Sequence, residues 1–246
     1  MGMHPKTLRR FFDAHSPSTG EIAVPAIPIN LLLDATFFTR SDGVLVARAN
    51  SRNLIWKKIE TEKVEYYEEI ISMIINSGIK IQSFVIDGKR GVLHMLLRNY
   101  PVVPVQYCQF HQIQTITIYL SKRPKLTAGK ELRSIALKLT KVDYKAFSVS
   151  LNEWHNRWKN FLMEKTFNPD TKRSCYTHKR LRSAYRSLNT NLPYLFTYQK
   201  YPQLNMPNTT NSCDGSFAHW KNRIGVHRGL KDHRKRKMMN YLLENS

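Results

Sequence analysis

Acidic residues are scarce in this chain of 246: 18 Asp and Glu stand against 39 Lys and Arg, a formal net charge of +21. Such an excess in a folded protein points to a polyanion as partner, nucleic acid first and an anionic membrane surface second. Long apolar runs are missing too. No stretch approaches the length of a spanning helix, and no basic amphipathic helix flanks a strongly apolar one, so no membrane partner is expected. There are only three cysteines, an odd number that makes no disulfide framework. A reducing compartment is the expectation. The start, Met1-Gly2-Met3-His4-Pro5-Lys6, lacks the apolar core of a signal peptide, and Lys6 stands where myristoylation needs Ser or Thr. No internal repeat or low-complexity tract is visible.

What the chain does contain is enough for one sizeable core with an inserted subdomain: 41% hydrophobic and 11% aromatic residues. Apolar runs at 29–38, 43–49 and 53–59 read as three strands. The second is entered through the turn Ser41-Asp42-Gly43, and the short connections favour an antiparallel meander. Residues 65–76 carry Ile70, Ile71, Ile74 and Ile75 at helical spacing, with Gly78 as a C-cap. A strand at 81–86, a helix at 89–98, a strand at 102–107 and a helix at 109–120 follow. Residues 121–206 contain few strand-like runs. Helical periodicity at 131–139 and 144–161 sets Trp154, Trp158 and Phe161 on one face. Between 121 and 200, 18 Lys and Arg face five Asp and Glu. This segment is expected to be an all-helical insertion with a basic face. Residues 216–244 return to helix, with Phe217, Trp220 and Ile224 at apolar spacing.

The order strand, strand, strand, helix, strand, helix, strand, helix is that of an RNase-H-like fold of the retroviral-integrase type. The expected class is α/β: a mixed five-stranded sheet with flanking helices and an all-helical insertion before the last helix. The expected parts are an N-terminal remnant or linker at 1–28, a core at 29–120, the insertion at 121–206 and a closing helical region at 207–246. In this fold the first and fourth strands are neighbours.

Three aspartates then attract notice. Asp34 ends the run Ile29-Asn30-Leu31-Leu32-Leu33, and Asp87 ends Phe84-Val85-Ile86. A carboxylate at the end of a core strand is poorly solvated and costly unless a cation or a partner compensates. Two-metal phosphodiester chemistry needs hard oxygen ligands converging from several elements. The plain alternative is that Asp34 caps a local amide and Asp87-Gly88 is a turn. For a third ligand, Glu131, Glu153, Glu164, Asp170 and Asp214 are available, and context selects Asp214. It stands in Asn208-Thr209-Thr210-Asn211-Ser212-Cys213-Asp214-Gly215, just before a basic helix. There the rival reading is an N-cap aspartate.

That segment with Ser216-Phe217, then Lys221, Arg223 and His227-Arg228-Gly229-Leu230, resembles the C-terminal catalytic motif of bacterial insertion-sequence transposases. These are relatives of the Mutator-like elements in the DDE superfamily. Leu33-Asp34-Ala35-Thr36 and Ile86-Asp87-Gly88 are similar to its first two acidic blocks. Tyr107-Cys108-Gln109-Phe110-His111 is similar to the Cys-x-x-His element that follows the second. The resemblance spans roughly residues 29–243. It implies a DNA transposase catalytic domain that cleaves transposon ends and joins them to target DNA. Asp34 would bridge two Mg2+ (or Mn2+) ions, and Asp87 and Asp214 would each help to hold one. It also implies double-stranded DNA as partner, no small-molecule substrate, a homo-oligomer, and a bacterial cytoplasmic, nucleoid-associated location.

Two departures keep alternatives open. The family usually has glutamate at the third acidic position, and aspartate is one methylene shorter. A copy that binds DNA without cutting is one alternative, and an RNase-H-like nuclease that hydrolyses without joining is another. The N-terminus has no room for a full DNA-binding module, as expected of a truncated copy or a catalytic fragment.

Cys108 with His111, and Cys175 with His178, form two Cys-x-x-His pairs of the types that close a zinc site. Their wide separation argues against zinc. His111 is instead expected beside the acids, contacting a phosphate or orienting a group, with Cys108 packed. Candidate DNA contacts are Lys179, Arg180, Arg182, Lys221, Arg223, His227 and Arg228. The cations come with aromatics such as Tyr176, Tyr185 and Trp220, a pairing that suits phosphate contacts and stacking on unpaired bases.

Overall fold

The chain is described by a computed structural model covering residues 4–14, 27–226 and 229–245, without the side chains of Pro5, Leu8, Arg9, Phe12, Asp214, Val226 and Asp232. In chain order its elements are α1 (Pro5–Ala14), β1 (Ile29–Phe37), β2 (Gly43–Ala49), β3 (Arg52–Ile59) and α2 (Val64–Asn76). Then come β4 (Ile81–Ile86), α3 (Arg90–Asn99), β5 (Val105–Tyr107), α4 (Gln109–Leu120), α5 (Thr127–Leu137) and α6 (Tyr144–Met163). A hairpin of β6 (Lys165–Asn168) and β7 (Arg173–Tyr176) leads into α7 (Lys179–Leu195) and α8 (Thr197–Lys200). The chain closes with α9 (Asn211–Val226) and α10 (Asp232–Glu244). The main sheet has five strands in the order β3-β2-β1-β4-β5. Its first three are antiparallel, while β4 and β5 are parallel, so the sheet is mixed. Contacts divide the chain into two units, one of Met1–Ile81 with Asn211–Ser246 and one of Gln82–Thr210.

In the first unit, β2 is buried along its whole length, and β1 nearly so. Both read as continuous apolar runs rather than alternating ones because neither face meets water. The β2–β3 connection turns on Asn50 and Ser51, whose φ values of 49° and 63° are left-handed. Two such residues give the tight turn whose twist matches a hairpin. Gly43 opens β2 for a steric reason: a Cβ there would lie 2.6 Å from the Phe37 ring. Helix α2 buries Tyr67, Ile70, Ile71 and Ile74 and packs on β2 and β3. Truncating Ile71 to alanine would cost about 2–5 kcal/mol. Helix α9 packs on β1, and α10 packs on α9 and β3. Asn53 fixes the end of α10 by donating from Nδ2 to the Leu243 carbonyl at 2.8 Å. Asp13 on α1 accepts two bonds from the Arg234 guanidinium on α10.

In the second unit, β4 and β5 run side by side through the crossover helix α3, with Ile86 opposite Tyr107. Helices α4, α5, α6 and α7 pack pairwise into one helical layer. Buried Gln106 and Gln109 both donate to the Leu195 carbonyl, at 2.9 and 2.8 Å, and Thr197 donates to the Val105 carbonyl. These bonds join the end of α7 and the start of α8 to β5 and the start of α4.

The all-helical expectation for 121–206 is corrected here, because β6 and β7 form an antiparallel hairpin within it. Its strands have four residues each and β6 is wholly exposed, so no hydrophobic alternation marks them. The signal that was available is turn chemistry. Asn168 sits before Pro169-Asp170, and its Oδ1 accepts from the amides of Asp170 and Thr171. Strand β5 is also shorter than expected. Residues 101 and 102 form a turn closed by the Val103 amide on the Tyr100 carbonyl, and the strand starts only at Val105.

Candidate active site

In the first unit, Asp34 is 2% exposed and lies opposite Val46, with Leu32 opposite Arg48. Paired residues share a face, and alternate residues along a strand do too. Asp34 and Arg48 therefore point to the same side of the sheet. Arg48 is buried and reaches α9: its Nη1 donates to the Ser216 hydroxyl at 2.8 Å. The same guanidinium holds Asn53 Oδ1 and the Ser51 carbonyl. The start of α9 is thus bound to the face that bears Asp34.

Asp214 is the fourth residue of α9, not a residue ahead of it. This removes the N-cap reading and moves the helix start five residues upstream of the expected one. Cys213, Phe217 and Trp220 form the buried stripe of α9. Asp214 keeps the favourable position of an acid in a first turn.

In the second unit, Asp87 follows β4 directly and is half-buried. Its Oδ1 accepts from the Lys89 amide at 3.2 Å, which fixes the carboxylate over the start of α3. Gly88 has φ +95°, a conformation that favours glycine and lets the chain turn there. Beside this turn is Tyr107, a residue that sequence patterning did not single out as functional. Its hydroxyl is buried and meets no hydrogen-bonding partner among the described residues. Burial above all, then Tyr194 and the Asp87 carboxylate, push its ionisation well above the usual phenol range; Arg90 pulls the other way.

The Cys-x-x-His pair occupies the junction of β5 and α4. The Cys108 amide donates to the Ile86 carbonyl at 2.7 Å, so the pair stands beside the residue that precedes Asp87. Cys108 is buried, and its Sγ accepts from the amide and hydroxyl of Thr210 at 3.2 and 3.3 Å. His111 Nδ1 lies 3.3 Å from the same hydroxyl. Asn208 adds a carbonyl bond to the Gln109 amide and an amide bond to Gln109 Oε1. Cys108, just ahead of α4, and His111, in its first turn, therefore grip the segment that runs into α9. Sequence spacing brought out Cys108 and His111 but not Thr210 as their shared partner.

The other pair is differently engaged. Cys175 lies on β7, and His178 stacks on Phe161 and meets Glu164 at 3.0 Å. Among the described residues, no three His, Cys, Asp or Glu side chains are grouped to hold a metal ion. That set does not include the Asp214 carboxylate.

Of the candidate DNA contacts, Lys179 and Arg180 are exposed at the start of α7, and Arg180 also donates to the Ile118 carbonyl. Arg182 is held by the protein. It donates to the Leu162 carbonyl at 2.7 Å and lies 3.5 Å over the Tyr176 ring. Lys221 and Arg223 are exposed on α9. His227 and Arg228 lie outside the described residues. No protein-family model matches the chain, and no curated protein matches it.

Proposed function

We propose that this chain is the catalytic domain of a DNA transposase with an RNase-H-like core, cutting and joining DNA strands at a divalent-metal site. The observation that carries the reading is Asp34, a carboxylate buried in a nearly apolar strand of a mixed sheet ordered β3-β2-β1-β4-β5. Burial of a charge is costly, and a chain with net charge +21 has a polyanion for that charge to act on through a cation. The motif around Asp87 and the acid in the first turn of α9 support the same reading.

The donor set fits the metal by chemistry: Asp34, Asp87 and Asp214 offer hard carboxylate oxygens of the kind Mg2+ and Mn2+ take. When bound, such ions lower the pKa of an attacking water or hydroxyl and stabilise the leaving oxygen. The chain's own part is positioning. The Lys89 amide orients Asp87, Arg48 fixes the start of α9, and Cys108 and His111 grip Thr210 ahead of that helix. Lys221 and Arg223 supply phosphate contacts, with transposon ends and target as duplex partners and a homo-oligomer as the working form.

The test is strand cleavage and strand transfer on labelled DNA in Mg2+ or Mn2+. Asp34→Asn and Asp87→Asn are expected to abolish both reactions. Cutting that survives both substitutions overturns the metal-site reading. A second reading, a DNA binder that does not cut, draws on Asp214, whose side chain is one methylene shorter than the usual glutamate. An inert native chain whose Asp214→Glu variant cuts would establish it.

A further inference from the structure

In the second unit a cavity of about 530 Å3 opens between the end of α4, the start of α5, the β6–β7 hairpin and the start of α7. Tyr119, Lys125, Cys175, Tyr176, Lys179 and Arg180 are among its lining residues. Its walls divide by chemistry. The Tyr176 ring is already covered, with Arg182 at 3.5 Å and Lys165 Nζ at 5.4 Å, so its role is to carry cations. Tyr119 on α4 is half-buried and supplies a second aromatic surface. Lys125 and Lys179 are exposed lining residues, and Arg180, exposed as well, donates to the Ile118 carbonyl. Helix α7 begins in the cavity. His178 gives it no side-chain cap, and the first residues of this 17-residue helix are among those that line the space. Helix-start amides and lysines together suit a phosphate, and an aromatic wall suits a base. The space is of the size that takes a small molecule, and a paired, stacked duplex is too wide for it.

We propose that this cleft binds one unpaired nucleotide of a DNA strand. The base lies against Tyr119, and the phosphate lies at Lys125, Lys179 and the start of α7. The proposal rests on the reading of the chain as a DNA-handling protein and adds a single-strand subsite to it, remote in sequence from Asp34, Asp87 and Asp214.

The chain's own thiols provide the test. Cys175 lines the cleft, whereas Cys108 and Cys213 are buried. The rate of maleimide modification of Cys175 is followed without metal, in the presence of a short single-stranded oligonucleotide, a blunt duplex of the same sequence, or AMP. The single strand is expected to slow modification strongly and the duplex to leave it near the free rate. Tyr119→Ala is expected to weaken single-strand binding about tenfold and to lift the protection, while Tyr119→Phe retains both. Lys125→Ala and Lys179→Ala should each flatten the log–log salt dependence of single-strand binding by about 0.7. An unchanged Cys175 rate at saturating single strand overturns the proposal, as does equal protection by the duplex. Protection by AMP without protection by the oligonucleotide overturns the strand subsite in favour of a free-nucleotide site. Asp34→Asn protein should show the same protection as the native chain, so failure here and failure of the cutting assay are separate results.

Discussion

Arg48 and Ser216 are joined by a 2.8 Å hydrogen bond across 168 residues of sequence. The guanidinium is buried, so its loss strands polar groups as well as breaking a bond. Arg48→Met is expected to lower the unfolding free energy by about 1–3 kcal/mol. Ser216→Ala should cost about 1 kcal/mol. Amide hydrogen exchange in α9 should quicken in both variants more than exchange in α2. Equal protection of α9 in native and Arg48→Met protein would show that the bond does not anchor the helix.

Tyr107 predicts an alkaline effect. Its folded ionisation lies above the ordinary value of 10.0, so the folded state holds the phenol proton where the unfolded chain releases it. Its contribution is complete below pH 10 and fades as the pH climbs through the raised folded value. Tyr107→Phe should flatten the fall in stability above pH 10 in urea titrations at stepped pH. At neutral pH the variant should be as stable as the native chain or up to about 2 kcal/mol more so, because a buried hydroxyl without a partner is removed.

Trp154 joins α6 to α5, donating from Nε1 to the Ala128 carbonyl at 3.0 Å while 2% exposed. Trp154→Ala should cost about 3–5 kcal/mol, as large aromatic truncations do. Trp154→Phe keeps most of the volume but loses the indole hydrogen bond, at about 1 kcal/mol. Thermal unfolding followed by near-ultraviolet circular dichroism would rank the two variants.

The grip on Thr210 can be loosened by one atom. Thr210→Val removes the hydroxyl that meets Cys108 Sγ and His111 Nδ1 but keeps the amide bond to Sγ. A stability loss of about 1 kcal/mol is expected, with faster modification of the Cys108 thiol. Thr210→Ser should restore native reactivity. Unchanged thiol reactivity in the valine variant would show that the hydroxyl is not what holds the segment.

The strands were legible where burial made them apolar. Val44-Leu45-Val46-Ala47 has no room for another reading, and β4 ends at Ile86 as its run does. Helix starts were less legible. Helix α5 begins four residues ahead of the sequence reading, because Gly129 reads as a breaker. In place it permits close packing, where an added Cβ would sit 3.2 Å from Pro124 Cβ. Helix α9 begins with Asn211-Ser212-Cys213, polar residues that favour turns in isolation, and tertiary packing of Cys213 and Phe217 overrides that tendency. At the candidate site, Asp34 and Asp87 could be named from position in their runs. Arg48 and Thr210 could not, since their partners are distant in sequence and no local period marks them.

The first unit is assembled from two stretches of chain separated by the whole of the second. Its cross-links, Arg48 to Ser216 and Asn53 to Leu243, span 168 and 190 residues, whereas the second unit is continuous. During synthesis the continuous unit can complete itself first, and β1 must wait for α9 and α10 to leave the ribosome. Helix α9 is therefore delivered only after the whole of the second unit, and the first unit closes later than the second.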